Sequence, residues 1–125
     1  MAIKIGVIGC GYWGPNIIRN FSEIDSTDMA YICDLDRSRL QAISKSYPAA
    51  KITDNYQDML ADKEIDAVVI TTPVDAHYTL AKESLLAGKH VLIEKPMVGS
   101  VGEAEELVRI AEQNNKVLMV DHTFE

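Results

Sequence analysis

The sequence predicts an α/β domain: a doubly wound parallel sheet of six strands in the order 3-2-1-4-5-6. Three observations carry this. Six short, continuous apolar runs alternate with stretches of helical periodicity, as in a sheet covered on both faces. The first run passes directly into Gly9-x-Gly11-x-x-Gly14, a glycine loop at a strand–helix corner. The polar residues collect at the ends of the runs, where a parallel sheet presents one common edge to ligands.

Taken in order, Ile3 to Ile8 is the first strand and the glycine loop follows it. Pro15 is tolerated in a first helical turn, and Ile17, Ile18 and Phe21 give that helix an apolar face. Met29 to Cys33 is the second strand, running into Asp34. Asp36 caps a helix carried by Leu40, Ile43 and Tyr47 and stopped by Pro48. Ala50 to Thr53 is a short third strand, and Tyr56, Met59 and Leu60 mark a short helix. Ala67 to Ile70 is the fourth strand; a helix from Asp75 to about Ala87 ends at Gly88. His90 to Ile93 is the fifth strand. Ser100-x-x-Glu103 is a capping box before a helix with Ala104, Leu107, Val108 and Ala111 on its apolar face. Val117 to Val120 is the sixth strand.

The 125 residues suit one domain, residues 1–125, and a chain of this size buries roughly two thirds of its unfolded surface. The net charge of −7 argues against nucleic acid and anionic membrane as partners. No run approaches the length of a membrane span and no signal-peptide pattern is present. Two isolated cysteines, Cys10 and Cys33, suit a reducing, cytoplasmic setting, and the histidines lack metal-ligand spacing.

The glycine loop suits a pyrophosphate. Gly9 permits the sharp exit from the strand, Gly11 lets a phosphate approach the backbone, and Gly14 lets the next helix pack closely. Asp34, twenty residues past Gly14, stands where a carboxylate binds the adenosine ribose of a dinucleotide. Two ribose hydroxyls suit that carboxylate and a 2′-phosphate does not, so NAD is expected over NADP; Arg37 nearby is either a phosphate partner or a solvated helix residue. Tyr12 and Trp13 either flank the cofactor or pack. Beyond the fourth and fifth strands stand Thr71-Thr72-Pro73 and Glu94-Lys95-Pro96, and Asp121-His122 follows the sixth. Lys95 is the best catalytic candidate, since a cationic ring nearby favours a neutral amine able to move a proton; the plain alternative is a Glu–Lys surface pair. On pattern, His77 is more often a satisfied or exposed histidine, and His90 is structural.

With these residues in view, the chain resembles the glucose–fructose oxidoreductase / inositol dehydrogenase (Gfo/Idh/MocA) family over essentially its whole length. The matching segments are Ile5 to Gly14, Cys33-Asp34, Thr72-Pro73-x-x-x-His77, Ala87 to Pro96 and the last strand. The Gly-Tyr-Trp-Gly-Pro-Asn run and the Asp-His-Thr-Phe ending look most like the branch oxidising UDP-N-acetylglucosamine-type sugars at C3. The resemblance implies a Rossmann fold and hydride transfer between a nicotinamide cofactor and a sugar or nucleotide sugar. It implies that Gly9, Gly11, Tyr12, Trp13 and Gly14 hold the pyrophosphate and Asp34 the adenosine ribose. Thr72, Pro73 and His77 would line the cofactor path, Glu94 would meet the nicotinamide ribose, and Lys95 would be the catalytic-site lysine, with a cis Lys95–Pro96 bond. It also implies a C-terminal substrate domain, absent from these residues, and a homo-oligomeric parent. The ending just past the sixth strand is expected to be a cut within a longer enzyme, leaving a domain that binds cofactor without turnover. The alternative is a stand-alone NAD-sensing module.

Overall fold

The computed structural model describes residues 3–9, 26–72, 76–94 and 100–121, with Glu94 and Asp121 described by backbone alone. The elements, in chain order, are β1 (Ile3–Ile8), β2 (Thr27–Cys33), α1 (Arg37–Ser44), β3 (Lys51–Thr53), α2 (Tyr56–Ala61), β4 (Ala67–Ile70), α3 (His77–Leu86), β5 (His90–Glu94), α4 (Val101–Gln113) and β6 (Leu118–Asp121). All neighbouring strands pair in parallel, in the order β3-β2-β1-β4-β5-β6. The doubly wound Rossmann architecture expected from the sequence is the one observed. The chain order reverses between β1 and β4, which opens a crevice at the carboxyl ends of the central strands.

The strands bury both faces. On β4, Val68 and Ile70 join Ile8, Met59, Leu80, Leu85, Ile93 and Leu107 on one side. Val69 joins Ile5, Val7, Met29, Ile32 and Leu40 on the other. Period-two alternation with both sides apolar is why these runs carry almost no polar residue. Full burial of a side chain such as Leu85 or Leu107 stabilises by about 1.5–3 kcal/mol.

Local signals start α1, α2 and α4 close to where expected, whereas α3, expected from Asp75, is observed from His77 with no side-chain cap. The Asp36 carboxylate accepts from Arg39 N at α1, Asn55 from Gln57 N at α2, and Ser100 Oγ from Glu103 N at α4. Two further expectations are corrected. First, α1 ends at Ser44, short of Tyr47. Tyr47 precedes Pro48, which disfavours a helical conformation, and Ser46 N and Tyr47 N instead bond back three residues to Ile43 O and Ser44 O. The Tyr47 ring still packs on the core. Second, Val108 is 44% exposed; the stripe of α4 that meets the core is Leu107, Ile110 and Ala111. These three share one helical face, and Val108 is rotated off it.

Sequence reasoning missed Lys89, which is only 4% exposed. Its Nζ donates to the carbonyls of Asp62 (2.7 Å) and Ile65 (2.8 Å), tying the turn before β4 to the start of β5. Burial pulls its pKa below the ordinary lysine value. His90 is structural as expected: Val117 N donates to its Nδ1 at 3.0 Å, joining β5 to the approach to β6.

Candidate functional site

β1, β2 and β4 end side by side, and the residues that follow them face one cavity of about 630 Å3. Gly9, Asp34 and Thr72 line it, with Leu35, Tyr56 and Leu80 supplying apolar wall.

Gly9 is clamped. Its N–H donates to Cys33 O at 2.7 Å, and the Thr71 hydroxyl bonds to its carbonyl. Its φ is +89°, and a Cβ there would stand 2.9 Å from Thr72 Cγ2. Glycine is therefore required by conformation and by space, which brings bare backbone to the cavity wall.

Asp34 is 7% exposed and held in place: Oδ1 accepts from Asp36 N at 2.8 Å. Oδ2 accepts from Arg39 Nη1 at 3.3 Å. Arg39 also reaches Asp36 Oδ2 at 3.7 Å. Arg37, the arginine that sequence proximity singled out, is turned away onto Asp54 at 2.8 Å, where its guanidinium holds the Asp54 carboxyl below the usual range. The local spacing Asp34-x-x-x-x-Arg39 was the available signal for the true neighbour.

Thr72 ends the β4 edge of the cavity. Its Oγ1 is buried with no hydrogen-bond partner among the described residues. His77 is 2% exposed, and its Nε2 donates to the Thr72 carbonyl at 2.7 Å. It is thus a satisfied histidine that fixes the backbone carrying Thr72. The Cys33 thiol also borders the cavity. Burial, with Asp34, Asp54 and Asp58 adding repulsion, pushes its pKa up to about 12, so it stays protonated and unreactive.

The geometry fits a dinucleotide. Buried polar groups are normally paired, and the Thr72 hydroxyl, without a partner among the described residues, is free to bond a dinucleotide group. A fixed carboxylate, bare glycine backbone and an unsatisfied hydroxyl share one crevice with an apolar wall. Glu94 ends β5 beside this edge through its backbone. Gly11, Tyr12, Trp13, Gly14, Pro73, Lys95, Pro96 and His122 lie outside the described residues. Among the described residues no metal-holding cluster occurs, and no helix is long and apolar enough to cross a membrane.

Comparison with known proteins places the chain among nicotinamide-dependent oxidoreductases. The chain is 37% identical to "Glycosyl hydrolase family 109 protein 2" of Shewanella sp. (strain ANA-3), over 94% of its own length and 28% of the relative's. It is 32% identical to "scyllo-inositol 2-dehydrogenase (NADP(+)) IolW" of Bacillus subtilis, over 96% and 33%. Among solved structures, GenD2 from gentamicin A biosynthesis, in complex with NAD, superposes with a TM-score of 0.94 at 28% identity, over 98% of this chain and 35% of that one. KijD10, a 3-ketoreductase from Actinomadura kijaniata in complex with NADP and TDP-benzene, gives 0.91 at 26%, over 97% and 37%. The chain thus spans about a third of the length of these proteins. The family model described as "Oxidoreductase family, NAD-binding Rossmann fold" matches residues 3–122, and the chain belongs to that family, Gfo/Idh/MocA.

Proposed function

We propose that these residues form the cofactor domain of an oxidoreductase that moves hydride between a nicotinamide dinucleotide and a hydroxyl or ketone of a sugar or nucleotide sugar. The observation that carries this reading is the shared crevice of Gly9, Asp34 and the buried Thr72 hydroxyl, which has no partner among the described residues. The names of IolW and KijD10 point to inositol and ketone substrates. The cofactor supplies hydride acceptance and donation at its nicotinamide ring. The chain's own residues bind and orient it: Asp34 takes the adenosine ribose, Gly9 with Gly11, Tyr12, Trp13 and Gly14 the pyrophosphate, and Thr72 with Pro73 the path between. Glu94 takes the nicotinamide ribose, and Lys95 moves the substrate proton. In this reading NAD is preferred to NADP because Asp34 favours a ribose diol. The groups that contact the sugar belong to a second domain outside these residues, in a cytoplasmic, homo-oligomeric parent enzyme.

The test is a calorimetric titration with NADH and with NADPH, paired with an absorbance assay using UDP-N-acetylglucosamine, its uronic acid, inositol and glucose. The domain is expected to bind dinucleotide without turning over any sugar, because positioning substrate against the ring is worth several kcal/mol and in this reading the sugar contacts lie in the second domain. Asp34→Ala is expected to weaken binding roughly ten- to a hundredfold. Failure to bind either dinucleotide overturns the reading. Turnover abolished by Lys95→Ala replaces it with a site complete in these residues.

A further inference from the structure

We propose that Arg39 reads the 2′ position of the adenosine ribose. It stays on Asp34 when a 2′-hydroxyl is bound and turns onto the phosphate when a 2′-phosphate is present, so that the domain accepts both nicotinamide dinucleotides with a modest preference for the unphosphorylated one. This inference rests on the cofactor reading above and refines its NAD preference into a device.

Three observations carry it. Asp34 cannot move aside: it is buried, and its Oδ1 is held by Asp36 N at 2.8 Å. Arg39 can: its side chain is 48% exposed and its contacts are long, 3.3 Å to Asp34 Oδ2 and 3.7 Å to Asp36 Oδ2. The Arg39–Asp36 pair, half exposed on both sides, costs little to break, and release from the buried Asp34 is offset by the phosphate that takes up the guanidinium. Arg37, the competing cation, is engaged by Asp54 at 2.8 Å.

The charge balance sets the direction of preference. Among the described residues the rim carries three carboxylates, Asp34, Asp36 and Asp54, against the guanidinium of Arg39 and that of Arg37 behind Asp54. A 2′-phosphate there meets net repulsion unless one guanidinium is released to it. A planar guanidinium binds phosphate through paired N–H donors, so Arg39 offsets the repulsion. Turning away from Asp34 leaves that carboxylate one partner short, which keeps NADP second. A ribose diol lets Asp34 hold Arg39 and the sugar together.

The experiment titrates the 125-residue chain with NAD and with NADP at low and high salt, in wild type, Arg39→Ala, Arg39→Lys and Arg37→Ala, with circular dichroism melts as the control for folding. In wild type, NADP is expected to bind within roughly tenfold of NAD and to lose affinity faster with salt. Arg39→Ala is expected to weaken NADP roughly ten- to a hundredfold and NAD less than about threefold, removing the extra salt dependence. Arg39→Lys keeps part of the NADP affinity, and Arg37→Ala leaves the ratio unchanged. NADP binding untouched by Arg39→Ala, an equal loss for both cofactors, or a loss specific to Arg37→Ala overturns the proposal. NAD binding without any NADP binding overturns it while leaving the cofactor reading intact. Binding of neither overturns both.

Discussion

The two rims of the sheet spend their polar groups in opposite ways. At the amino rim they close on one another. Lys4 N donates to Asp66 Oδ2 at 2.9 Å, Asp66 N to Lys4 O at 2.8 Å, and His90 N to Asp66 O at 3.0 Å. Lys89 Nζ takes two carbonyls and His90 Nδ1 takes Val117 N. These bonds staple β1, β4, β5 and the approach to β6. At the carboxyl rim, Thr72 keeps a buried hydroxyl without a partner among the described residues, and a fixed carboxylate stands beside a cavity. One rim is built for stability and the other holds capacity for a ligand, so substitutions at the two should separate folding from binding.

The largest effect is expected at the amino rim. Lys89→Met keeps the apolar stem but strands two carbonyls, and should destabilise the domain by about 2–4 kcal/mol in urea unfolding. Cofactor affinity, measured well below the melting temperature, should remain within twofold. A large affinity loss in a folded Lys89→Met protein would erase the division between the rims.

Gly9→Ala comes next, because it strikes the carboxyl rim through the backbone. An alanine at position 9 must hold a positive φ, and its Cβ presses on Thr72 Cγ2, at a cost of about 1–3 kcal/mol. Here stability and affinity should fall together. Unchanged dinucleotide binding would show that the close approach of Gly9 to Thr72 is packing alone.

The smallest and sharpest is Thr72→Val. Removing a buried hydroxyl that lacks a partner among the described residues should leave the melting temperature unchanged or higher, while dinucleotide affinity falls about tenfold, or ~1.4 kcal/mol. Loss of stability with intact affinity would assign that hydroxyl to the fold.

Sequence alone determined the architecture, and for local reasons. A β-branched run flanked by turn residues is a strand wherever it falls, so Ala67–Ile70 matched the expectation residue for residue. Asp36, Asn55 and Ser100 accept backbone N–H groups within three residues, so the helix starts after Asp36 and Ser100 were legible too. The site's address followed from topology, since a parallel sheet brings Gly9, Asp34 and Thr72 to one edge whatever surrounds them. What the tertiary structure decided were contacts across chain distance. Arg37 and Arg39 are equivalent by composition, and only the placement of Asp54 at the end of β3 draws the first away and leaves the second on Asp34. Lys89 reads as a surface charge, and it is buried because Asp62 and Ile65, more than twenty residues earlier, turn their carbonyls toward it. Hydrophobic period and capping act over a few bonds, whereas charge pairing and burial depend on which distant groups the fold brings within about 3 Å.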